Sequence, residues 1–174
     1  GSRSGPGSSP EAAKRLVVGL PPLLARLGAR SLLDVPCGDF AWMSEVDRTG
    51  FDYLGGDVVA PLVAENESRY GGTGARFAVL DLTRDPLPRA DVVLCRDALV
   101  HFSLRLGGEA LARIRESGAD WLLATTFPGL PADGFAPWLP ADSVAGRGRG
   151  AAGAEQAAAW RAGLERSGLG PADV

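Results

Sequence analysis

Residues 31–43 read Ser31-Leu-Leu-Asp-Val-Pro-Cys-Gly-Asp-Phe-Ala-Trp-Met43, and they constrain the architecture more than any other part of the chain. An apolar run leads into an acid, Asp34, which is followed by a Pro/Gly turn and by a change of polarity pattern at Ala41. This order predicts a buried strand, a tight loop and then a helix near residues 41–48. Open parallel α/β sheets bind ligands at such a place, at the carboxyl ends of their strands.

A second acid lies where a ribose-binding carboxylate is expected. Asp57 ends the next apolar segment, residues 51–57, and follows Gly38 by 57 − 38 = 19 residues. An acid about 20 residues beyond a glycine loop grips a ribose diol in nucleotide-binding folds. The alternative is structural, because an Asp before Ala60-Pro61 can also cap the following helix. We favour the ribose interpretation, so the ligand is expected to carry a ribose.

The chemistry of the loop argues against a dinucleotide. The G-x-G-x-x-G spacing is absent, Pro36 has no amide hydrogen to offer a pyrophosphate, and the acidic Asp39 would face an anion. Carboxylates and carbonyl oxygens instead favour a ligand that bears ammonium and sulfonium groups. A dehydrogenase or another nucleotide-using enzyme is therefore less favoured than a protein with a cationic ligand.

With these features the sequence resembles the class I S-adenosylmethionine-dependent methyltransferases, from about residue 31 to residue 127. Four segments carry the resemblance: Asp34-Val-Pro-Cys-Gly-Asp39, similar to a Pro-containing glycine loop, then Asp57-Val58, Phe77-Ala-Val-Leu-Asp-Leu82 and residues 87–102. The resemblance implies a Rossmann-like, doubly wound α/β fold, with a mostly parallel sheet and helices on both faces. It also implies S-adenosylmethionine as cofactor and S-adenosylhomocysteine as product.

The resemblance implies roles for individual residues. Asp57 would bind the ribose and Val58 would pack on adenine. Asp81, favoured over Asp85 because it directly ends an apolar run, would meet the adenine amino group. Phe40 stands where the family often has another glycine, and it either reshapes the pocket or places an aromatic face near the sulfonium. The expected cofactor-binding residues are Asp34, Pro36, Gly38, Asp39, Trp42, Asp57, Val58, Asp81, Leu82, Cys95 and Arg96.

The expected reaction is methyl transfer to a small-molecule acceptor by in-line displacement, which depends mainly on proximity and orientation. If the acceptor is a hydroxyl group, a general base helps. His101, the one histidine, follows Asp97 by four residues, so it is the candidate base and Asp97 its orienter. The alternatives are a structural histidine and, for Arg96 and Asp97, a local salt bridge or a helix cap. A catalytically weak or inactive cofactor-binding protein is the competing function.

Composition bounds the remaining possibilities. The chain has 174 residues, 45% of them hydrophobic, and a net charge of −3, which suits one domain and gives no overall basic field for nucleic acid. Cys37 and Cys95 fit a reduced intracellular protein better than a disulfide framework. A disulfide between them is the alternative, because both are expected at the same edge of neighbouring strands. A lone histidine gives no zinc-site pattern, and no run of 18 or more apolar residues predicts a membrane span. We expect a cytoplasmic protein without a metal.

The alternation of apolar runs and helical patterns sets the expected organisation. Strands are expected near residues 31–35, 52–57, 75–80, 90–95 and 120–125, and helices near 41–48, 60–69 and 104–117. A first helix should begin at Ser9-Pro10, break at Pro21-Pro22 and end at Gly28. Residues 1–9 read as a tag and linker, and residues 10–127 as the cofactor-binding domain.

Residues 128–174 depart from the family pattern. The family adds two strands after the fifth, whereas this segment has Pro- and Gly-rich stretches and one helical pattern, at Ala154–Leu164. We expect a divergent C-terminal part of the same domain with reduced strands. The fifth strand would then expose its edge, which predicts self-association or cover by the C-terminal helix, both favoured over a partner protein that supplies the missing strands.

Overall fold

The computed structural model describes residues 13–125, and a sheet of five parallel strands lies at its centre. The strands are β1 (Ser31–Asp34), β2 (Asp52–Asp57), β3 (Ala75–Val79), β4 (Val92–Cys95) and β5 (Trp121–Ala124), in the order β3-β2-β1-β4-β5 across the sheet. The helices are α1 (Lys14–Leu27), α2 (Ala60–Tyr70) and α3 (Leu104–Glu116). The predicted Rossmann-like α/β fold and its five predicted strands are confirmed.

Strand β1 is the middle of the sheet, and its two neighbours belong to different halves of the chain. Leu32 pairs with Tyr53 of β2 on one side and with Val92 of β4 on the other. The chain proceeds from β1 to β2 and β3 in one direction and then returns to β4 and β5 in the other. Loops that leave β1 and β4 therefore diverge, and a crevice opens at the carboxyl ends of these strands.

Side chains alternate along each strand, so both faces of the sheet carry buried residues. Leu24 of α1 packs in one cluster with Leu32 and Val92. Leu33 and Val93 point to the opposite face, and both are fully buried. Right-handed crossovers place α2 and α3 on opposite faces. The stripe that α3 buries consists of Gly107, Ala110 and Ile114.

The expected break of the first helix at Pro21-Pro22 is wrong, because α1 continues through both prolines. Neither proline can donate an intrahelical hydrogen bond, which normally disfavours a helix interior. Leu20 and Leu24, one turn apart, are both buried and attach the helix to the sheet on each side of the prolines. Tertiary packing therefore overrides the local preference of the sequence.

The expected helix over residues 41–48 is also wrong. Only a single 3-10 turn forms, Met43–Glu45, and Val46 is already extended. The guanidinium of Arg48 donates to the carbonyl oxygens of Met43, at 2.7 Å, and Val46, at 3.1 Å. This side chain satisfies backbone acceptors that a longer helix would have paired internally, so the backbone turns instead of continuing.

Several expectations fall outside the described residues. They are the linker at residues 1–9, the helix start at Ser9-Pro10, and everything expected of residues 128–174, including the helix at Ala154–Leu164. Within residues 13–125, no helix has the length and apolar character that crossing a membrane requires.

Candidate functional site

The loops that follow β1, β2, β3 and β4 enclose a cavity of about 470 Å³ at the carboxyl edge of the sheet. Six of the residues named from the sequence line it, namely Pro36, Val58, Asp81, Leu82, Asp97 and His101. The others lie beside or beneath the cavity. The topology thus brings together residues that are up to 65 positions apart in the chain, 101 − 36 = 65.

Gly38 and Asp57 are in direct contact. The Gly38 amide donates to Oδ2 of Asp57 at 3.1 Å, and the Val59 amide donates to Oδ1 at 2.9 Å. The second bond closes a turn of the Asx type; a helix cap would accept from the first helical amides instead. Because a carboxylate offers about four lone-pair sites, Asp57 keeps acceptor capacity on both oxygens.

The turn at Gly38 has backbone requirements that only glycine meets easily. Its φ is +59°, in the left-handed region that disfavours a Cβ. Its carbonyl oxygen accepts from Nδ2 of Asn66 at 2.8 Å, so the same residue is held from α2 as well as from β2. Asn66 carries no motif in the sequence, and reasoning from the sequence missed it. A polar residue among the buried positions of α2 is the only local signal.

Asp34 is buried at the end of β1, 2% exposed, and Tyr53 donates its hydroxyl to Oδ2 at 2.8 Å. Burial raises the pKa of Asp34 to about 7, although the Tyr53 hydrogen bond and the charge of Arg96 oppose the rise. A carboxyl group so enclosed acts on its surroundings through its hydrogen bond with Tyr53. The sequence required a polar partner for this buried acid without identifying Tyr53.

The two cysteines lie under the site and are free thiols. Burial raises the pKa of Cys95 to about 12 and raises that of Cys37 further. Both therefore stay protonated and act as small buried side chains rather than nucleophiles.

Phe40 is fully buried, so the interpretation that its aromatic face lies near the sulfonium is wrong. The side chain is fully buried, with ring centroids of Tyr53 and Tyr70 at 5.2 and 4.9 Å and Phe77 edge-on at 5.0 Å. The Arg48 guanidinium lies 5.1 Å from its centroid. Phe40 adopts a φ of +58°, as a glycine would, and packs under the loop.

The loop after β3 contains Asp81 and Asp85, the two candidates for the contact with the adenine amino group, and places them in different settings. Asp81 lines the cavity, and Oδ1 accepts from the amide and the hydroxyl of Thr83 at 2.9 and 2.6 Å. Those bonds, the hydroxyl first, lower the pKa of Asp81 below its usual value. Asp85 instead accepts from the Asp81 amide at 2.8 Å, which makes it part of the turn.

The exit of β4 holds a charged pair beside an aromatic ring. Arg96 contacts Oδ2 of Asp97 at 3.1 Å and lies 5.5 Å from the ring centroid of the buried Trp42. Asp97 has a φ of +53°, and its amide donates to the Thr125 hydroxyl at 2.9 Å. The local salt bridge, one of the alternatives for these two residues, is thus present. His101 ends the 3-10 turn Leu99–His101 and is exposed.

The cavity wall contains apolar residues that the sequence did not single out, namely Val35, Leu80, Ala98, Phe102 and Leu106. They follow strand ends or begin α3, where no spacing rule marks them. Asp39, by contrast, was named from the loop, and its carboxylate accepts from the Ala41 amide at 3.2 Å within that loop. Among residues 13–125, no three His, Cys, Asp or Glu side chains are grouped to hold a metal ion.

No protein-family model matches the chain, and no curated protein matches it. Solved structures do match. A TehB-like S-adenosylmethionine-dependent methyltransferase from Corynebacterium glutamicum has a TM-score of 0.54 at 21% identity, over 80% of this chain and 82% of its own. Magnesium protoporphyrin IX methyltransferase from Synechocystis, with bound S-adenosylhomocysteine, has a TM-score of 0.52 at 18% identity, over 65% and 54%.

A protein from Pyrococcus horikoshii is similar to the same degree, with a TM-score of 0.53 at 19% identity, over 66% of this chain and 58% of its own. The chain therefore spans little more than half the length of two of these three proteins. At such identities the likeness is one of fold. The fold is the Rossmann-like one of class I S-adenosylmethionine-dependent methyltransferases.

Proposed function

We propose that the protein binds S-adenosylmethionine and transfers its methyl group to a small-molecule acceptor. The observation that carries the proposal is the contact between Gly38 and Asp57 beside the cavity that Val58, Asp81 and His101 line. A glycine turn and a strand-end acid in contact at this edge form a ribose-binding arrangement. The methyltransferases of the same fold support the choice of cofactor.

The residues fit the adenosine half of the cofactor. Val58 is 61% exposed at the cavity, where an apolar side chain gains by packing on a base. Asp81, whose pKa is lowered, is ionised at neutral pH and can only accept hydrogen bonds, as an exocyclic amino group requires. The free lone pairs of Asp57 are assigned to the ribose hydroxyls. Leu82, buried at the cavity wall, would present its amide to a ring nitrogen.

We assign the methionine half to the β4 exit and the glycine loop. The Arg96 side chain is 14% exposed and lies between Trp42 and Asp97, which fixes its direction. A guanidinium held in this way suits a carboxylate. Asp34 is too enclosed for direct contact, so its role is indirect, through its hydrogen bond with Tyr53 at the end of β1. Cys95, buried at the end of β4, fills space beneath the site.

The chemistry needs little from the protein beyond orientation. The cofactor supplies a methyl group that its sulfonium activates. The apolar residues around His101 keep water away from an acceptor, and His101 would take the proton of an acceptor hydroxyl. Asp97 is paired with Arg96 through Oδ2, and we assign it the role of orienting His101. With a net charge of −3 and no basic field, we place the acceptor among small molecules. The two free, buried cysteines favour a reducing compartment, the cytoplasm.

Calorimetric titration of the purified protein with S-adenosylmethionine, S-adenosylhomocysteine and NAD tests the cofactor. We expect both sulfur compounds to bind and NAD not to bind. Preference for NAD would overturn the proposal, because the loop at Pro36 would then accommodate a pyrophosphate.

Turnover is tested separately, by release of S-adenosylhomocysteine with a panel of hydroxyl, amine and carbon acceptors. With a hydroxyl acceptor, His101→Gln should lower kcat by about 100-fold while cofactor affinity changes little. An unchanged kcat would return His101 to a structural role. Cofactor binding with no turnover on any acceptor would favour the competing function, a cofactor-binding protein without catalysis.

A further inference from the structure

Asn66 is a buried polar residue in the middle of α2, 2% exposed. Its Nδ2 donates to the carbonyl oxygen of Gly38 at 2.8 Å and lies 4.0 Å from Sγ of Cys37. The side chain therefore leaves its own helix to bind the glycine loop, 28 residues earlier in the chain. Buried amides are costly unless they are hydrogen-bonded, so this contact is specific rather than incidental.

The peptide groups around Gly38 are held from two directions. Asn66 binds the Gly38 carbonyl, while the Gly38 amide binds Oδ2 of Asp57. The other oxygen of Asp57 is bound by the Val59 amide, immediately before α2. The three contacts form a closed circuit, from α2 to the glycine loop, to the end of β2, and back to the start of α2. A shift at any one contact moves the others.

We propose that Asn66 is a positioning residue that sets the direction of the Asp57 carboxylate toward a ribose. The inference rests on the proposed function and deepens it. Without the Asn66 donor, the partly buried Gly38 carbonyl keeps only the weak thiol donor of Cys37, at 3.6 Å, and the turn relaxes to find a better partner. The Gly38 amide then leaves Asp57, and the carboxylate loses one of the two bonds that fix its orientation. Asn66 acts through Gly38 and touches no ligand itself.

The test compares adenosine with 2′-deoxyadenosine, since only the former offers the 2′-hydroxyl to Asp57. Wild-type protein should prefer adenosine by at least about tenfold, the effect of one hydrogen bond to a charged group. Asn66→Leu, close in shape but without a donor, should reduce this preference to about threefold or less. Val63→Ala is the matched control, because Val63 is buried on the same helix and binds neither Gly38 nor Asp57. The control should keep the wild-type preference, even with a lower melting temperature.

Each outcome decides one point. Wild-type protein that binds neither adenosine nor S-adenosylhomocysteine contradicts the proposed function, whereas a wild-type preference that Asn66→Leu retains contradicts the inference alone. In an Asp57→Ala background, Asn66→Leu should not lower the preference further; an additional loss would also contradict it. Should Asn66→Leu fail to fold, Asn66→Ala removes the same donor without adding a new polar group, and the same loss of preference is expected; a retained preference would contradict the inference.

Discussion

At the scale of single residues, the sequence predicted that Asp57 and Gly38 share a site. It did not identify the side chains that hold the site in place. The 19-residue interval predicted that the acid and the loop would lie together, and the structure joins them by a hydrogen bond of 3.1 Å. Tyr53 and Asn66 hold the same site in place. Such partners come from neighbouring elements, and no sequence pattern links a loop to the side chain that packs beneath it.

The Asp57 carboxylate gives the sharpest test of the site. Asp57→Ala should weaken S-adenosylhomocysteine binding by about 1.5–3 kcal/mol, the cost of losing a hydrogen bond to a charged group. Asp52→Ala is the control, because Asp52 begins the same strand, is exposed, and lies at the opposite end from the site. Calorimetry on both variants, after circular dichroism has verified folding, gives the comparison. Equal affinities in the two variants would end the ribose assignment.

Asp34 makes stability depend on pH in a direction that follows from its pKa. Burial raises the pKa from 3.8 to about 7, so between these values the folded state keeps a proton that the unfolded state has lost. Stability from this group is complete below about pH 4 and is lost as the pH rises to about 7. The loss is about 1.4 kcal/mol for each unit of pKa difference.

We therefore predict that Asp34→Asn removes this dependence. Urea unfolding of both proteins from pH 4.5 to pH 8.5 should show the variant gaining stability relative to wild type up to about pH 7, with no further gain above it. Tyr53→Phe removes a bond that lowers the pKa of Asp34, so the loss should extend to higher pH in that variant. A difference between wild type and Asp34→Asn that does not change with pH would show that the carboxyl group titrates normally.

At the scale of elements, predictions succeeded where burial and local preference agree. The apolar runs of β1 and β4 predicted strands of a parallel sheet, because a sheet covered on both faces needs continuous apolar sequence. The helices predicted at residues 60–69 and 104–117 are α2 and α3. Predictions failed at α1 and at residues 41–48, where contacts with distant residues decide. The buried Leu20 and Leu24 keep α1 helical across its two prolines. Arg48 binds the carbonyl oxygen of Met43, so the helix expected over residues 41–48 stops after a single turn.

The prolines of α1 allow a quantitative prediction of stability. Pro22 is exposed, so Pro22→Ala removes no buried side chain and restores a backbone donor in a helix interior. Proline costs about 3 kcal/mol there, less about 1 kcal/mol that it contributes by restricting the unfolded chain. The variant should therefore gain about 2 kcal/mol in free energy of unfolding, measured in urea. Leu24→Ala, which empties a buried position, should lose about 2–5 kcal/mol. A loss of stability in Pro22→Ala would show that α1 is not a continuous helix.

At the scale of the whole molecule, the strand order leaves the apolar strand β5 at an edge of the sheet. Within residues 13–125, β3 and β5 are the two edge strands, each with a partner on one side only. β5 is apolar and every one of its residues is partly exposed, unlike the buried β4 beside it. An apolar edge with unpaired backbone groups is a template for pairing, and proteins rarely leave such an edge open.

We therefore predict that the free edge of β5 is covered in the intact 174-residue chain. Hydrogen exchange should show slow amides on both sides of Trp121–Ala124, although β4 can bond only those that face it. The same measurement at two protein concentrations, with light scattering, identifies the cover. Protection that rises with concentration, together with a dimer mass, indicates a second copy of the chain. Constant protection in a monomer indicates that residues beyond 125 of the same chain supply the cover.

β1 is the internal reference, since it is paired on both sides and should exchange slowly throughout. Fast exchange of the outward amides of β5 at every concentration would refute the prediction, and it would leave the fold with an open edge next to its candidate site.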